Sequence, residues 1–257
     1  MITPTRVMVT GATGFLGYRV ISNLLALGAK VTALVHPERL DLIQPLTDYV
    51  EIVSADVWNK ASLKGRARNH QVIIHLVGST RAKPFEGLTH YQLNLVPARN
   101  VINMAISDGV LFVVLLSTVV RPLEVSGEYV RNKRDAETYL QNSGVGWAIV
   151  RAPALFAPQG HPLLSFASFI GRFFPLNMSL GRYLPLSADI AARGIAAIAL
   201  NSTQYQERIL YAHHLRRIAA RHRTNQTLLY SPIAPSFADV STDPLDETPF
   251  GWLPPYS

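Results

Sequence analysis

Short runs of β-branched and other apolar residues alternate, over the first 150 residues, with stretches whose apolar positions recur every three to four residues. Runs of the first kind suit strands buried on both faces and those of the second suit amphipathic helices, so their alternation predicts βαβ units around a parallel sheet. Strands are expected at 6–9, 30–35, 50–53, 72–77, 111–116 and 147–150. Between the first two, Leu16, Val20, Leu24 and Leu27 mark a helix over 14–27 that Gly28 stops. Similar helices are expected over 85–106, ending near Gly109, and over 129–140, ending near Gly144. Six strands with intervening helices predict an α/β fold with a Rossmann-type doubly wound parallel sheet.

After Arg151 the rhythm changes. RAPALFAPQGHPLL reads as loop, and the next segment, with Phe166, Phe169, Phe173, Phe174, Leu176, Leu180 and Tyr183, is aromatic and apolar with Gly and Pro breaks; 188–200 then reads as a helix of small residues. The aromatic segment suits core packing, an apolar substrate pocket, or a surface covered by a membrane or partner. Six of the chain's 17 prolines fall in its last 34 residues, which excludes regular helix or central strand there. One domain over 1–223, including a small cap at about 151–223, and an extended tail over 224–257 are the expected organisation.

Composition narrows the chemistry. The 257 residues are enough for a sizeable core, and the longest apolar run, 109–120, is broken by Ser117 and Thr118 and is too short to span a bilayer. The absence of cysteine excludes disulfides, iron–sulfur clusters, thiolate zinc sites and thiol nucleophiles. No HExxH or equivalent spacing occurs, and His213 and His214 point apart on a helix, so no metal site is expected. The opening MITPTRVMVTG has no charged leader followed by an apolar stretch, so a cytoplasmic product is the expectation.

The formal charge is +7, and its distribution is uneven. Five arginines (208, 216, 217, 221, 223) and three histidines face a single acid over 207–223, whereas the tail holds Asp239, Asp243, Asp246 and Glu247 and neither Lys nor Arg. The basic segment reads as a solvated helix face partly neutralised by the tail. The alternative is a docking surface for a protein partner, for a second copy or for an anionic membrane at its cytoplasmic face, with residues 231–257 as a strap. No recognised nucleic-acid motif accompanies the charge.

The strongest local signal is VTGATGFLG, residues 9–17, placed between an expected strand and an expected helix. Gly11 suits a tight turn, Gly14 a bare backbone that a pyrophosphate can approach, and Gly17 close helix–strand packing. Gly11, Thr13, Gly14, Phe15, Leu16 and Gly17 are therefore the candidate cofactor turn. With this motif the sequence, over roughly residues 5 to 200, resembles the short-chain dehydrogenase/reductase superfamily, in particular extended and atypical members such as the NAD-dependent epimerase/dehydratase family.

The resemblance implies further roles. Asp56, followed by Val57 in SADV, matches the acid that receives the adenine amino group, with a plain helix N-cap as the alternative. Gly78 matches the glycine beside the cofactor ribose, and Asn94 matches the Asn of the following helix. The second strand ends in LVHPER with no acid at its tip, and His36 and Arg39 there favour NADP(H) over NAD(H), although Glu38 keeps NAD open. Tyr129 and Lys133 form a YxxxK that places both side chains on one helix face. In the family the Lys lowers the phenol pKa and holds the nicotinamide ribose while the Tyr moves a proton. The third catalytic group is expected at Ser117 or Thr118, twelve and eleven residues before Tyr129, an interval much shorter than extended members have.

GEYVRNKRDAE, and GRYLPLSADIAARGIAAIAL with its Asp189, are also similar to the nucleotide-binding accessory subunit of respiratory complex I, and Asp189 equally suits a helix cap. Three functions follow as expectations: an NAD(P)(H)-dependent oxidoreductase or epimerase acting on an apolar substrate, a cofactor-bound accessory subunit of a membrane-attached electron-transfer assembly, or a redox-sensing dinucleotide binder.

Overall fold

The computed structural model describes residues 4–119, 127–157 and 184–222. In chain order these form β1 (Arg6–Thr10), α1 (Gly17–Ala26), β2 (Lys30–Val35), β3 (Glu51–Ser54), β4 (Val72–His75), α2 (Val96–Asp108), β5 (Phe112–Thr118), α3 (Gly127–Gln141), β6 (Gly146–Ala152), β7 (Leu155–Phe156), β8 (Leu186–Ser187), α4 (Ala188–Leu200), α5 (Ser202–Tyr205), β9 (Arg208–Tyr211) and α6 (Ala212–Arg221). The aromatic segment that the sequence assigned to a cap, Arg223, and the Pro-rich tail lie outside the described residues.

Seven strands make one sheet in the order β3-β2-β1-β4-β5-β6-β9, every pairing parallel. The chain leaves β1 toward one edge through β2 and β3, then returns to β4 and builds toward the other. That reversal opens a crevice at the carboxyl ends of β1 and β4, where such sheets bind ligands. β7 and β8 pair separately as a two-stranded parallel ribbon.

Both faces of the sheet are covered. Val7 and Val9 of β1 join α1, α4 and α6 in one buried cluster, while Met8 between them joins α2 and α3 in the other, as alternation along a strand requires. The small residues of α4, Ala191, Ala192, Ala196 and Ala197, are fully buried in the first cluster. No helix of the described residues is long and apolar enough to cross a membrane.

Two expectations are corrected. The helix expected over 85–106 is broken: Tyr91–Leu95 is a π-turn in which the Val96 N–H reaches back to the Tyr91 carbonyl, and the α-helix starts only at Val96. Pro97 has no N–H to give the carbonyl of Leu93, so the α-helical ladder cannot run through this point. The basic segment over 207–223 is not one helix face either. Arg208–Tyr211 is the seventh strand of the sheet, paired with β6, and only Ala212–Arg221 is helical. Residues 188–221, expected in a cap, therefore pack in the main layers.

Candidate dinucleotide site

The first crossover turn leaves β1 at Thr10. Gly11 takes φ +77°, the Gly14 N–H donates to the Gly11 carbonyl at 3.1 Å, and the Gly17 N–H donates to the Gly14 carbonyl at 2.9 Å. A Cβ on Gly17 would stand 2.3 Å from the Gly11 carbonyl oxygen and 2.4 Å from that of Ala12. Only hydrogen fits there, so Gly17 sets how closely α1 sits against the turn. Thr13, Phe15 and Leu16 are buried within it. No acid occupies the first turn of α1, and no side chain caps it, so no negative charge opposes an anion at the positive end of the helix. Arg19 braces the turn, donating to the Phe15 carbonyl at 2.7 Å and to Asp189 of α4 at 3.1 Å. Asp189 thus ties α4 to the turn.

At the tip of β2, His36 is buried, and its Nδ1 accepts the Glu38 N–H at 3.3 Å, capping the short turn Pro37–Arg39. Arg39 is half-buried and Glu38 exposed. After β3, Asp56 accepts the Trp58 N–H at 2.8 Å, and its backbone closes on the Ser62 hydroxyl in both directions. Asp56 caps a turn rather than the helix weighed as the alternative, because 57–69 forms successive turns. Val57 is fully buried.

Beyond β4, three sequence-named residues converge. Gly78 takes φ +154°, and a Cβ there would lie 2.5 Å from the Lys133 Nζ and 2.6 Å from the Asn94 Oδ1. The Asn94 amide pairs both ways with Ser79, accepting its N–H at 3.0 Å and donating to its carbonyl at 2.9 Å. Beneath them Thr10 hydrogen-bonds His75 at 2.8 Å. Burial, reinforced by the nearby Lys133 ammonium, pushes the His75 pKa down to about 3.

Tyr129 and Lys133 both point inward from α3 and are almost fully buried. Lys133 reaches the carbonyls of Val77 at 3.4 Å and Leu116 at 3.5 Å. Burial brings its pKa down to about 8, partly offset by Glu137 one turn on. The Tyr129 phenol stands beside the Thr118 side chain, whose hydroxyl donates to the Val119 carbonyl at 3.2 Å, so the short interval does not separate these two groups. Burial pushes the phenol up to about 12, outweighing Thr118 and Arg134, which pull it down.

Ser117 lands elsewhere on α3. It shares strand parity with Val113 and Leu115 on the α3 face, and it donates to Glu137, about two turns along α3 from Tyr129. Of the two hydroxyls left open by the sequence, Thr118 is the one beside Tyr129. His90, which the sequence reading missed, packs its ring 5.7 Å from that of Tyr129, with a buried Nδ1 that finds no hydrogen-bond partner. Its one visible signal was its position four residues before Asn94.

The site fits a nicotinamide dinucleotide by shape: a glycine turn at a helix start, a turn-held acid after β3, and an ammonium and an amide meeting at a glycine beyond β4. A family model described as NAD(P)H-binding matches residues 11–163. The ceramide reductase of Caulobacter vibrioides is 31% identical over 195 residues, covering 74% of this chain and 60% of that protein. The chloroplastic protein TIC 62 of Arabidopsis thaliana is 27% identical over 176 residues, covering 59% of this chain and 28% of that one. The chain thus spans less than two thirds of either relative. Among solved structures, a nucleoside-diphosphate-sugar epimerase of Staphylococcus aureus superposes with a TM-score of 0.60 at 19% identity, covering 81% of this chain and 71% of that one. The NADPH complex of the quinone oxidoreductase QOR2 of Escherichia coli gives 0.59 at 18%, covering 80% and 68%. The Bordetella bronchiseptica enzyme WbmH in complex with NAD+ gives 0.58 at 19%, covering 77% and 73%. The glycine turn, the seven-stranded parallel sheet and the matched family model together make this chain a member of the NAD(P)H-binding family, on the Rossmann fold of the short-chain dehydrogenase/reductase superfamily.

Proposed function

We propose that the chain is a nicotinamide-dependent reductase of a carbonyl group on an apolar substrate. The observation that carries this reading is the convergence of Tyr129, Thr118, Lys133 and Asn94 on the carboxyl ends of β4 and β5, beside the glycine turn. The turn Gly11–Gly17 would hold the pyrophosphate, Asp56 and Val57 the adenine, and Lys133 with Asn94 the nicotinamide ribose. A bound reduced cofactor supplies the hydride. The protein's share is the proton: a phenol pushed up to about 12 keeps its hydrogen at neutral pH, so Tyr129 acts as an acid toward the carbonyl oxygen and Thr118 as its hydrogen-bond partner.

NADP(H) is the preferred form in this reading, because Arg39 is the fixed cation at the tip of β2 and no carboxylate stands at its last position. The apolar substrate rests on the aromatic sequence between β7 and β8 and on the similarity to a protein named for reducing ceramide. The test follows NADPH consumption over long-chain ketones. Tyr129→Phe is expected to lower turnover by about two to four orders of magnitude with NADPH affinity kept within about twofold. Equal turnover in the variant would overturn the assignment, and so would loss of NADPH binding.

A further inference from the structure

Behind the hydroxyl that meets Tyr129 lies a group of charges the proposed chemistry does not use. Glu137, one turn after Lys133 on α3, is 2% exposed. Arg151 of β6 grips its carboxylate through Nη2 at 2.6 Å and Nε at 3.1 Å to Oε2, while Arg134 pairs with the other oxygen. Arg134 then does something a mere counter-ion need not. Its Nη2 donates to the Thr118 carbonyl at 2.8 Å, and its Nη1 donates to the Ser117 hydroxyl at 3.2 Å. Arg151 also donates to the Tyr211 phenol at 2.9 Å, so the carboxyl ends of β5, β6 and β9 are all tied to α3 through one carboxylate.

A cluster of this kind is a poor way to gain stability. Taking charges out of water costs several kcal/mol per ion, and apolar residues of the same volume often do as well. What it supplies is fixed geometry, since planar guanidinium forks hold their partners in one orientation. The geometry it fixes is that of the last residue of β5. Thr118 ends the strand, its hydroxyl meets Tyr129, and its carbonyl is held by Arg134.

We propose that Arg134, clamped by Glu137 and Arg151, is a positioning residue that sets the Thr118 hydroxyl against Tyr129. This rests on the reading above of Thr118 and Tyr129 as the working pair, and the test separates the two. Tyrosines are labelled with carbon-13 at Cζ in the full chain, and the Tyr129 resonance is identified by its loss in Tyr129→Phe. Thr118→Val then gives the resonance of a phenol without its partner. Arg134→Met and Glu137→Gln are expected to move the signal at least halfway to that value, with NADPH affinity within about twofold of wild type in Arg134→Met. Arg134→Lys keeps the charge without the fork, replaces Arg134→Met should that variant not fold, and is expected to shift the signal in the same direction. Arg6→Met, which breaks the Arg6–Glu51 pair at 2.9 Å at the opposite end of the sheet, is expected to lower the melting temperature without moving the resonance. A Tyr129 signal unmoved in the Arg134 and Glu137 variants, or moved equally by Arg6→Met, overturns the positioning role alone. A signal unmoved by Thr118→Val overturns the Thr118–Tyr129 pair, and the positioning role falls with it.

Discussion

Two adjacent hydroxyls on one strand meet opposite fates, and the difference can be measured at each residue. Thr118→Val removes the hydroxyl beside Tyr129 and should slow carbonyl reduction by about tenfold to a hundredfold, with little change in melting temperature. Ser117→Ala should do the reverse: it leaves the buried Glu137 short of a donor, at a cost of roughly 1–3 kcal/mol in stability, with kcat changed far less. Steady-state kinetics beside thermal melts of both variants check the pair. Lys133 predicts a pH signature. Its pKa, brought down to about 8 by burial, means that the ammonium is present at pH 7 and mostly lost by pH 9. Affinity for the anionic dinucleotide should weaken across that interval in wild type, and the weakening should disappear in Lys133→Met; calorimetry at the two pH values reads it directly. Ser117 and Thr118 could not be told apart from sequence because the choice depends on where along α3 each hydroxyl lands, Ser117 at Glu137 and Thr118 at Tyr129, which is set only once the helix packs on β5.

The elements that were legible are those whose pattern is local. β2 occupies Lys30–Val35 as the apolar run indicated, and α1 ends just before Gly28. What periodicity missed was set by single residues or by distant partners. Pro97 displaces one turn into π geometry, and the tetrapeptide Arg208–Tyr211, with Arg at its start and a basic helix behind it, becomes a strand only because the edge of β6 is there to receive it. The same logic makes the first turn testable as an element. Gly17→Ala adds a methyl group less than 2.5 Å from two backbone oxygens, so α1 must move off the turn. Overpacking of this sort costs about 1–3 kcal/mol, and the displaced helix start should also weaken NADPH binding by at least about tenfold. Urea midpoints together with fluorescence titration would register both losses; a variant that binds normally would argue that the helix start is not the anion site.

At the scale of the molecule, the net charge of +7 indicated a surface property and little about the fold, whereas the buried histidines govern how the whole domain responds to acid. His75 is held neutral down to about pH 3, mainly by burial, against 6.5 when exposed, and burial lowers His70 in the same direction. The unfolded chain therefore takes up protons near pH 6.5 that the folded chain refuses. Stability is full above that value and is lost as the pH falls toward the folded pKa, at up to about 1.4 kcal/mol per pH unit for His75. Urea midpoints between pH 7.5 and 4.5 should fall accordingly, and His75→Asn should flatten the slope. The central claim remains that this fold brings a reduced dinucleotide to a carbonyl and lets Tyr129 deliver the proton. Its most direct test is the mass of the alcohol formed from a long-chain ketone with NADPH deuterated at the transferred position. Wild type should give product carrying one deuterium, and Tyr129→Phe, binding NADPH equally well, should give no more than about 1% as much. Unlabelled product, or equal product from both proteins, would contradict the account.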